Sequence, residues 1–372
     1  YYHIIFLMEN TSLERKDTAL ITVLHQHFRG DVNLARVKLI SLFITALCKV
    51  KTINYDRLAS GFDAKANKSS SYRRIQRFMA GFDLPMKIVS TLIFSLLPEK
   101  NDLSLVLDRT NWKFGSKNIN ILMLGVSYKN VAFPLMFLML DKRGNSHTKE
   151  RIELIRKYID WFGRDTINCL LADREFVGEK WLEFLNDYRI GYHIRIRNNF
   201  MVYSHQKQKE IPAFWLFNNL KTNEFYHYPK IVRLHGQDCY LSGSKTINRE
   251  GKMEFLIIVS FNKPEQAMVS YKKRWQVETL FRALKSSGFN IEDTHVTDLE
   301  RLERLFLLTM IAFVWCYKIG DYIDGKIKKI KIKKHGRRSV SVFKYGLDYL
   351  SKFLLSGFNL LEIKIFQFLS CT

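Results

Sequence analysis

Leu105-Val106-Leu107-Asp108-Arg109-Thr110 and Leu170-Leu171-Ala172-Asp173-Arg174-Glu175-Phe176 follow one pattern: a short apolar run, then an aspartate, then an arginine. An apolar run of this length bounded by polar residues reads as a buried strand, so each aspartate falls at a strand end. A carboxylate there is held rigidly beside a sheet and stays open to substrate. Taken singly, either Asp also suits a turn or a helix N-cap. Two of them at neighbouring strand ends point to a shared hard-cation site, because Mg²⁺ prefers carboxylate oxygens.

Outward from these runs, the apolar patterning predicts strands over 103–107, 120–127 and 131–140, the last two joined through a Tyr128-Lys129-Asn130 turn. A helix over 150–162, a strand over 167–172, a helix over 179–188 and a strand over 191–196 follow. Three strands, helix, strand, helix, strand is a mixed α/β sheet rather than a doubly wound one. Residues 199–261 break the rhythm with short alternating stretches (230–234, 255–261) and read as a β-rich insertion. Helix resumes over 265–289, and a strongly apolar helix is expected over 299–318.

Upstream, residues from about 17 to 97 read as helical. A Ser-rich stop over 65–71 precedes a short basic helix carrying Arg73, Arg74 and Arg77, with Ser as its expected N-cap. That helix suits either a solvated face or the reader of a helix-turn-helix. Between Lys326 and Arg338, eight of thirteen residues are Lys or Arg and none is acidic, which reads as a solvated loop or a phosphate-contacting segment.

The 372 residues suffice for two or three domains, and 47% apolar content excludes a disordered chain. Lys and Arg number 59 against 36 Asp and Glu, a net charge of +23 that calls for a polyanionic partner. Nucleic acid is favoured over a membrane, since no charge-free run long enough to span a bilayer exists. Five scattered cysteines (48, 169, 239, 316 and 371) without CxxC spacing argue against a disulfide framework or zinc ribbon and fit a reducing cytosol. Residues 1–8 lack the marks of a secretory leader. There is no GxSxG elbow, and Gly243-Ser244-Lys245-Thr246 lacks the upstream Gly of a phosphate loop.

The third element lies on the helix predicted downstream: Tyr271-Lys-Lys-Arg274-Trp-Gln-Val-Glu278-Thr-Leu-Phe-Arg282-Ala-Leu-Lys285. At about 100° per residue, Tyr271, Arg274, Glu278 and Lys285 fall within about 60° of one another, with Arg282 alongside. An ordinary amphipathic helix would place the same residues on an outer face, with Arg274 paired to Glu278 at i, i+4.

Taken with the two Asp boxes, this Tyr-x₂-Arg-x₃-Glu-x₆-Lys spacing resembles the signature of bacterial insertion-sequence DDE transposases of the IS-four-like group. The resemblance spans roughly residues 70–318; the ends of the chain are read from their residues alone. It implies an RNase H-like α/β catalytic core interrupted by a β insertion after the second Asp. It further implies Asp108, Asp173 and Glu278 as the catalytic and metal-binding triad for two Mg²⁺ ions, with Mn²⁺ substituting. Tyr271, Arg274 and Lys285 would hold DNA-end phosphates near the cut, with Arg282 on the same stripe as a further DNA contact. Where some relatives carry a Trp that stacks on a flipped base, this chain has Phe255.

The expected organisation is a helical DNA-binding domain over 1–98, a catalytic domain over 99–320 interrupted by the insertion at 199–261, and a basic helical region over 321–372. The expected function is a cytoplasmic, nucleoid-associated DNA transposase. It would act as a homodimer on double-stranded DNA, cleaving element ends and joining their 3′-hydroxyls to target DNA. It would have no membrane partner and no small-molecule substrate. A structure-selective nuclease on the same fold and a transposase-derived repressor are the alternatives. The repressor is disfavoured because a mere binder has no use for carboxylates that repel phosphate.

Overall fold

The computed structural model describes residues 18–62, 67–248, 250–356 and 363–370. The expectations for residues 1–8, Lys65 and Cys371 lie outside them. In chain order the helices and strands begin with α1 (18–28), α2 (Leu34–Val50), α3 (Tyr55–Ser60), α4 (Lys68–Gly81) and α5 (Met86–Ser95). Next come β1 (Leu103–Phe114), β2 (Lys117–Tyr128), β3 (Val131–Met139), α6 (Thr148–Phe162), β4 (Ile167–Ala172), α7 (Glu179–Asp187) and β5 (Gly191–Ile196). The short strands β6 (Met201–Ser204), β7 (Lys209–Pro212), β8 (Phe225–His227) and β9 (Val232–Leu234) lead to β10 (Gln237–Ile247) and β11 (Met253–Ser260). The chain continues through α8 (Ala267–Lys272), α9 (Gln276–Lys285), α10 (Leu299–Tyr322) and α11 (Val342–Ser356).

These elements form two compact units. One holds the described residues up to Pro98, those of 112–119 and those from Phe281 on; the other holds Glu99–Asn111 and Asn120–Leu280.

The first unit is helical. Its centre is α10, N-capped by Asp298 and buried on every side from Leu305 to Tyr317, as expected of a helix apolar all round. α11 crosses it with backbones in contact: a Cβ on Gly320 would meet the Val342 carbonyl, and one on Gly346 the Cys316 carbonyl. α4 is capped by the Asn67 side chain, which accepts from Ser70 N, and not by a serine. The helix begins one turn earlier than the serines suggest and draws them into its first turn. Cys48 and Cys316 lie Sγ to Sγ at 3.7 Å as thiols. Among the described residues no single helix is long and apolar enough to cross a membrane.

The second unit is built on an eleven-stranded mixed sheet, counted among the described residues, in the order β3-β2-β1-β4-β5-β11-β10-β9-β6-β7, with β8 beside β10. β1 pairs with β4 and β4 with β5 in parallel. β2 and β3 form the expected antiparallel hairpin. Three meandering strands followed by two parallel ones joined through helices is an RNase H-like α/β core. α6 buries Leu154, Ile155 and Tyr158, and α7 buries Trp181, Leu182 and Leu185.

The β-rich stretch continues the same sheet: β11 pairs antiparallel with β5, and β10 with β11. The strand expected over 230–234 starts only at Val232, where pairing with Cys239 of β10 and Ser204 of β6 begins. β1 does not end at Asp108 but runs on to Phe114, because its polar second half remains beside β2 after β4 has stopped. The helix expected over 265–289 is divided by a 3₁₀ turn at Lys273–Trp275 and closes at Lys285, where Ser286 N and Ser287 N both bond to Arg282 O.

Candidate active site

The parallel register of β1 and β4 builds the first part of the site. Leu105 pairs with Leu170, Val106 with Leu171 and Leu107 with Ala172, so the next residue on each chain is Asp108 or Asp173. Both aspartates are half-buried. Each bends back so that Oδ1 accepts from the following backbone amide, Arg109 N at 2.7 Å and Arg174 N at 2.8 Å.

The segment α8–α9 supplies the rest. Tyr271 packs its ring against Ile258 of β11 and Ala267, and its hydroxyl donates to Asp173 Oδ1 at 3.2 Å. Burial pushes that phenol up, so it stays a neutral donor. Arg274 sits in the 3₁₀ turn and is buried rather than on an outer face. Its guanidinium reaches Asp108 Oδ2 at 3.1 Å and Glu278 Oε1 at 2.7 Å. The i, i+4 pair with Glu278 is therefore present, but a simple surface helix would not bring in Asp108.

Burial and ion pairing act differently on the two partners of this contact. Burial pushes the Asp108 carboxyl up to about 6, offset in part by the Arg109 amide and Arg274 and reinforced by Glu175 and Asp173. Arg274, although burial opposes its charge, is held above its ordinary value by Tyr271, Glu278 and the aspartates. Arg274 thus stays charged, whereas burial disfavours the charged form of Asp108.

Several residues that the sequence reading passed over hold this arrangement. Arg109 donates to both carboxylate oxygens of Glu175, at 3.3 Å each, and to Asn120 Oδ1 at 3.1 Å. Asn120 in turn ties down the carbonyls of Lys142 and Gly144. Arg151 is buried and donates to the Glu175 carbonyl at 2.9 Å. Gln276 accepts from Ser127 Oγ and donates to Lys129 O, fastening the start of α9 to the β2–β3 turn. The only sequence signal was that Arg109 and Glu175 sit beside the two aspartates.

The other candidate residues make contacts of their own. Phe255 on β11 lies 5.9 Å from the Phe214 ring, with Lys245 Nζ 6.0 Å from its centroid. Arg282 is exposed. Lys285 pairs with Glu292 at 2.8 Å and lies over the Trp112 ring at 5.5 Å. Arg73 and Arg77 are exposed on α4 and Arg74 is half-buried. The basic run is a small hairpin. Asp324 accepts from Ile330 N and pairs with Arg338, both at 2.7 Å, while Tyr345 donates to Lys328 O.

Among the described residues no three His, Cys, Asp or Glu side chains form a ready cation cage. The donor set nevertheless suits a hard divalent ion: all oxygen, two carboxylates already converging on one cation, and an Asp108 whose charge needs compensation. Asp108, Asp173 and Glu278 are the residues that would hold it.

The model of a family described as "Transposase DDE domain" matches residues 106–315, a span that contains all three acids. No curated protein matches the chain.

Proposed function

The chain belongs to the DDE transposase family, and from that premise we propose that it cleaves the ends of an insertion sequence and joins the freed 3′-hydroxyls to target DNA. The observation that carries this reading is the convergence of Asp108 and Glu278 on Arg274, with Asp173 beside Asp108 in register and held by Tyr271.

Members of this family typically use divalent metals. Bound by Asp108, Asp173 and Glu278, Mg²⁺ would neutralise and polarise the scissile phosphate. The protein's own part is positional. The β1–β4 register sets the two aspartates side by side, the Arg109–Glu175 pair holds the segments that follow them, and Gln276 fixes the helix bearing Glu278. Tyr271 keeps Asp173 oriented through a neutral hydroxyl. Arg274 supplies a planar two-pronged donor suited to phosphate as well as carboxylate.

The chain would belong to the IS-four-like subgroup, act as a homodimer on DNA, and work at the bacterial nucleoid in the cytoplasm. Residues 1–98 would bind DNA through Arg73, Arg74 and Arg77, residues 99–320 would carry the chemistry with 199–261 inserted, and 321–372 would add basic contacts. Arg282, Lys285 and Phe255 would contact the DNA end. The test is to incubate the full chain with its flanking genomic ends, target plasmid and Mg²⁺, then map cuts and joints. Joints at 3′ ends are expected. Cuts without joints would leave the nuclease reading, and binding without cuts the repressor reading.

A further inference from the structure

Arg274 stands where the acids of the site meet. Its Nη1 is 3.1 Å from Asp108 Oδ2 and its Nη2 is 2.7 Å from Glu278 Oε1, with the side chain 7% exposed. The rings of Tyr271 and Trp275 lie 5.8 and 5.3 Å from Cζ. One guanidinium thus takes up one oxygen of each carboxylate, and it is an internal cation placed between the two acids that a divalent cation would use.

We propose that Arg274 is the resident cation of this acid cluster in the DNA-free protein, and that it changes partners during loading. It leaves Asp108 and Glu278 for a DNA phosphate as the metal enters, which makes metal and DNA binding mutually reinforcing. This rests on the transposase reading above. A divalent ion placed between Asp108 and Glu278 is repelled by the guanidinium. A largely buried Arg in turn cannot leave its carboxylates without another anion to receive it. A phosphate is that anion, because it accepts the same two-pronged donation as a carboxylate. By linkage, whatever draws Arg274 away from the acids raises metal affinity, and bound metal raises DNA affinity by the same factor. Tyr271 takes no part in the exchange, since its hydroxyl is neutral and stays on Asp173. Lys285 is engaged by Glu292.

The experiment measures Mn²⁺ binding to the full chain without DNA, by the loss of the free-ion paramagnetic resonance signal. Wild type is compared with Arg274→Gln, Arg274→Lys and the double variant Asp108→Asn/Glu278→Gln, each checked for folding by circular dichroism. Arg274→Gln should bind Mn²⁺ about tenfold more tightly than wild type, within the usual range of coupling between sites. Arg274→Lys, which keeps a charge but cannot span both acids, should fall between them. In the reciprocal measurement, Ca²⁺ should tighten binding of a fluorescent duplex to wild type in anisotropy, and should do so much less for Arg274→Gln. Equal Mn²⁺ affinity in wild type and both Arg274 variants, with binding lost in the double variant, would overturn the exchange and leave the metal site standing. Mn²⁺ binding unchanged in the double variant would overturn the metal-site reading itself.

Discussion

Arg109 and Glu175 each follow a candidate catalytic aspartate in sequence, and they close on each other with both carboxylate oxygens 3.3 Å from guanidinium nitrogens. The pair links β1 just past Asp108 to the turn just past Asp173, so the spacing of the two aspartates depends on a contact that neither of them makes.

Glu175→Gln should therefore disturb the site without touching a reacting group. The pair is mostly buried, and losing one charge should cost roughly 1–3 kcal/mol of stability in urea unfolding. The more specific readout is the cation titration of cleavage, whose midpoint should move to higher Mg²⁺ with binding of duplex DNA unchanged. A stability loss with an unmoved midpoint would reduce the pair to a structural role.

The raised carboxyl of Asp108 gives a pH dependence of defined sign. Its folded value of about 6 lies above the unfolded value, so protonated Asp108 favours the folded state. That contribution is fully present below about pH 4 and is lost as pH rises through about 6, a change of up to about 3 kcal/mol. In metal-free urea titrations, Asp108→Asn should lack this decline between pH 4 and 7. Metal binding needs the ionised form, so Mn²⁺ affinity of wild type should fall as pH drops through about 6.

The basic hairpin offers eight exposed cations, of which only Arg338 has an ion-pair partner among the described residues. Asp324, 13% exposed, holds its base. Changing Lys328, Lys331, Lys333 and Lys334 together to Gln should flatten the slope of log K against log salt by up to about 0.9 per lost phosphate contact, for specific and random duplex alike. The same number of changes among Lys180, Lys207, Lys209 and Lys252 serves as the control for overall charge. Equal slopes in the two sets would return the hairpin to a solvated loop.

Gly346→Ala tests the helical unit. With the Cys316 carbonyl against that position, the added methyl must push α11 off α10, and roughly 3 kcal/mol of destabilisation is expected in urea unfolding. A neutral substitution would mean the two helices slide apart freely.

Much of the catalytic core was legible because its strands are short, apolar and locally bounded. The strand at 167–172 and the strand at 191–196 follow directly from their apolar runs. The second half of β1 carries a weaker signal, Thr110, Trp112 and Phe114 alternating with Asn111 and Lys113 beyond an aspartate that reads as a strand end, and its place beside β2 is set by the tertiary fold. The union of β11 with β5 and the Arg109–Glu175 contact were hidden for the same reason: both pair residues far apart in sequence, which local periodicity does not encode. The Tyr-Arg-Glu spacing was legible as one stripe, and Tyr271, Arg274 and Glu278 do meet the two aspartates from α8–α9; the 3₁₀ turn between them and the pairing of Lys285 with Glu292 were not encoded in the spacing.

Asp108→Asn, Asp173→Asn and Glu278→Gln are to be compared with wild type in parallel binding and cleavage assays on element-end DNA with Mg²⁺. Each substitution should abolish both nicking and joining while end binding stays as tight as wild type or becomes tighter, because a charge that repels phosphate has been removed. Full cleavage by any one of the three purified variants would contradict the assignment of these acids as the catalytic set.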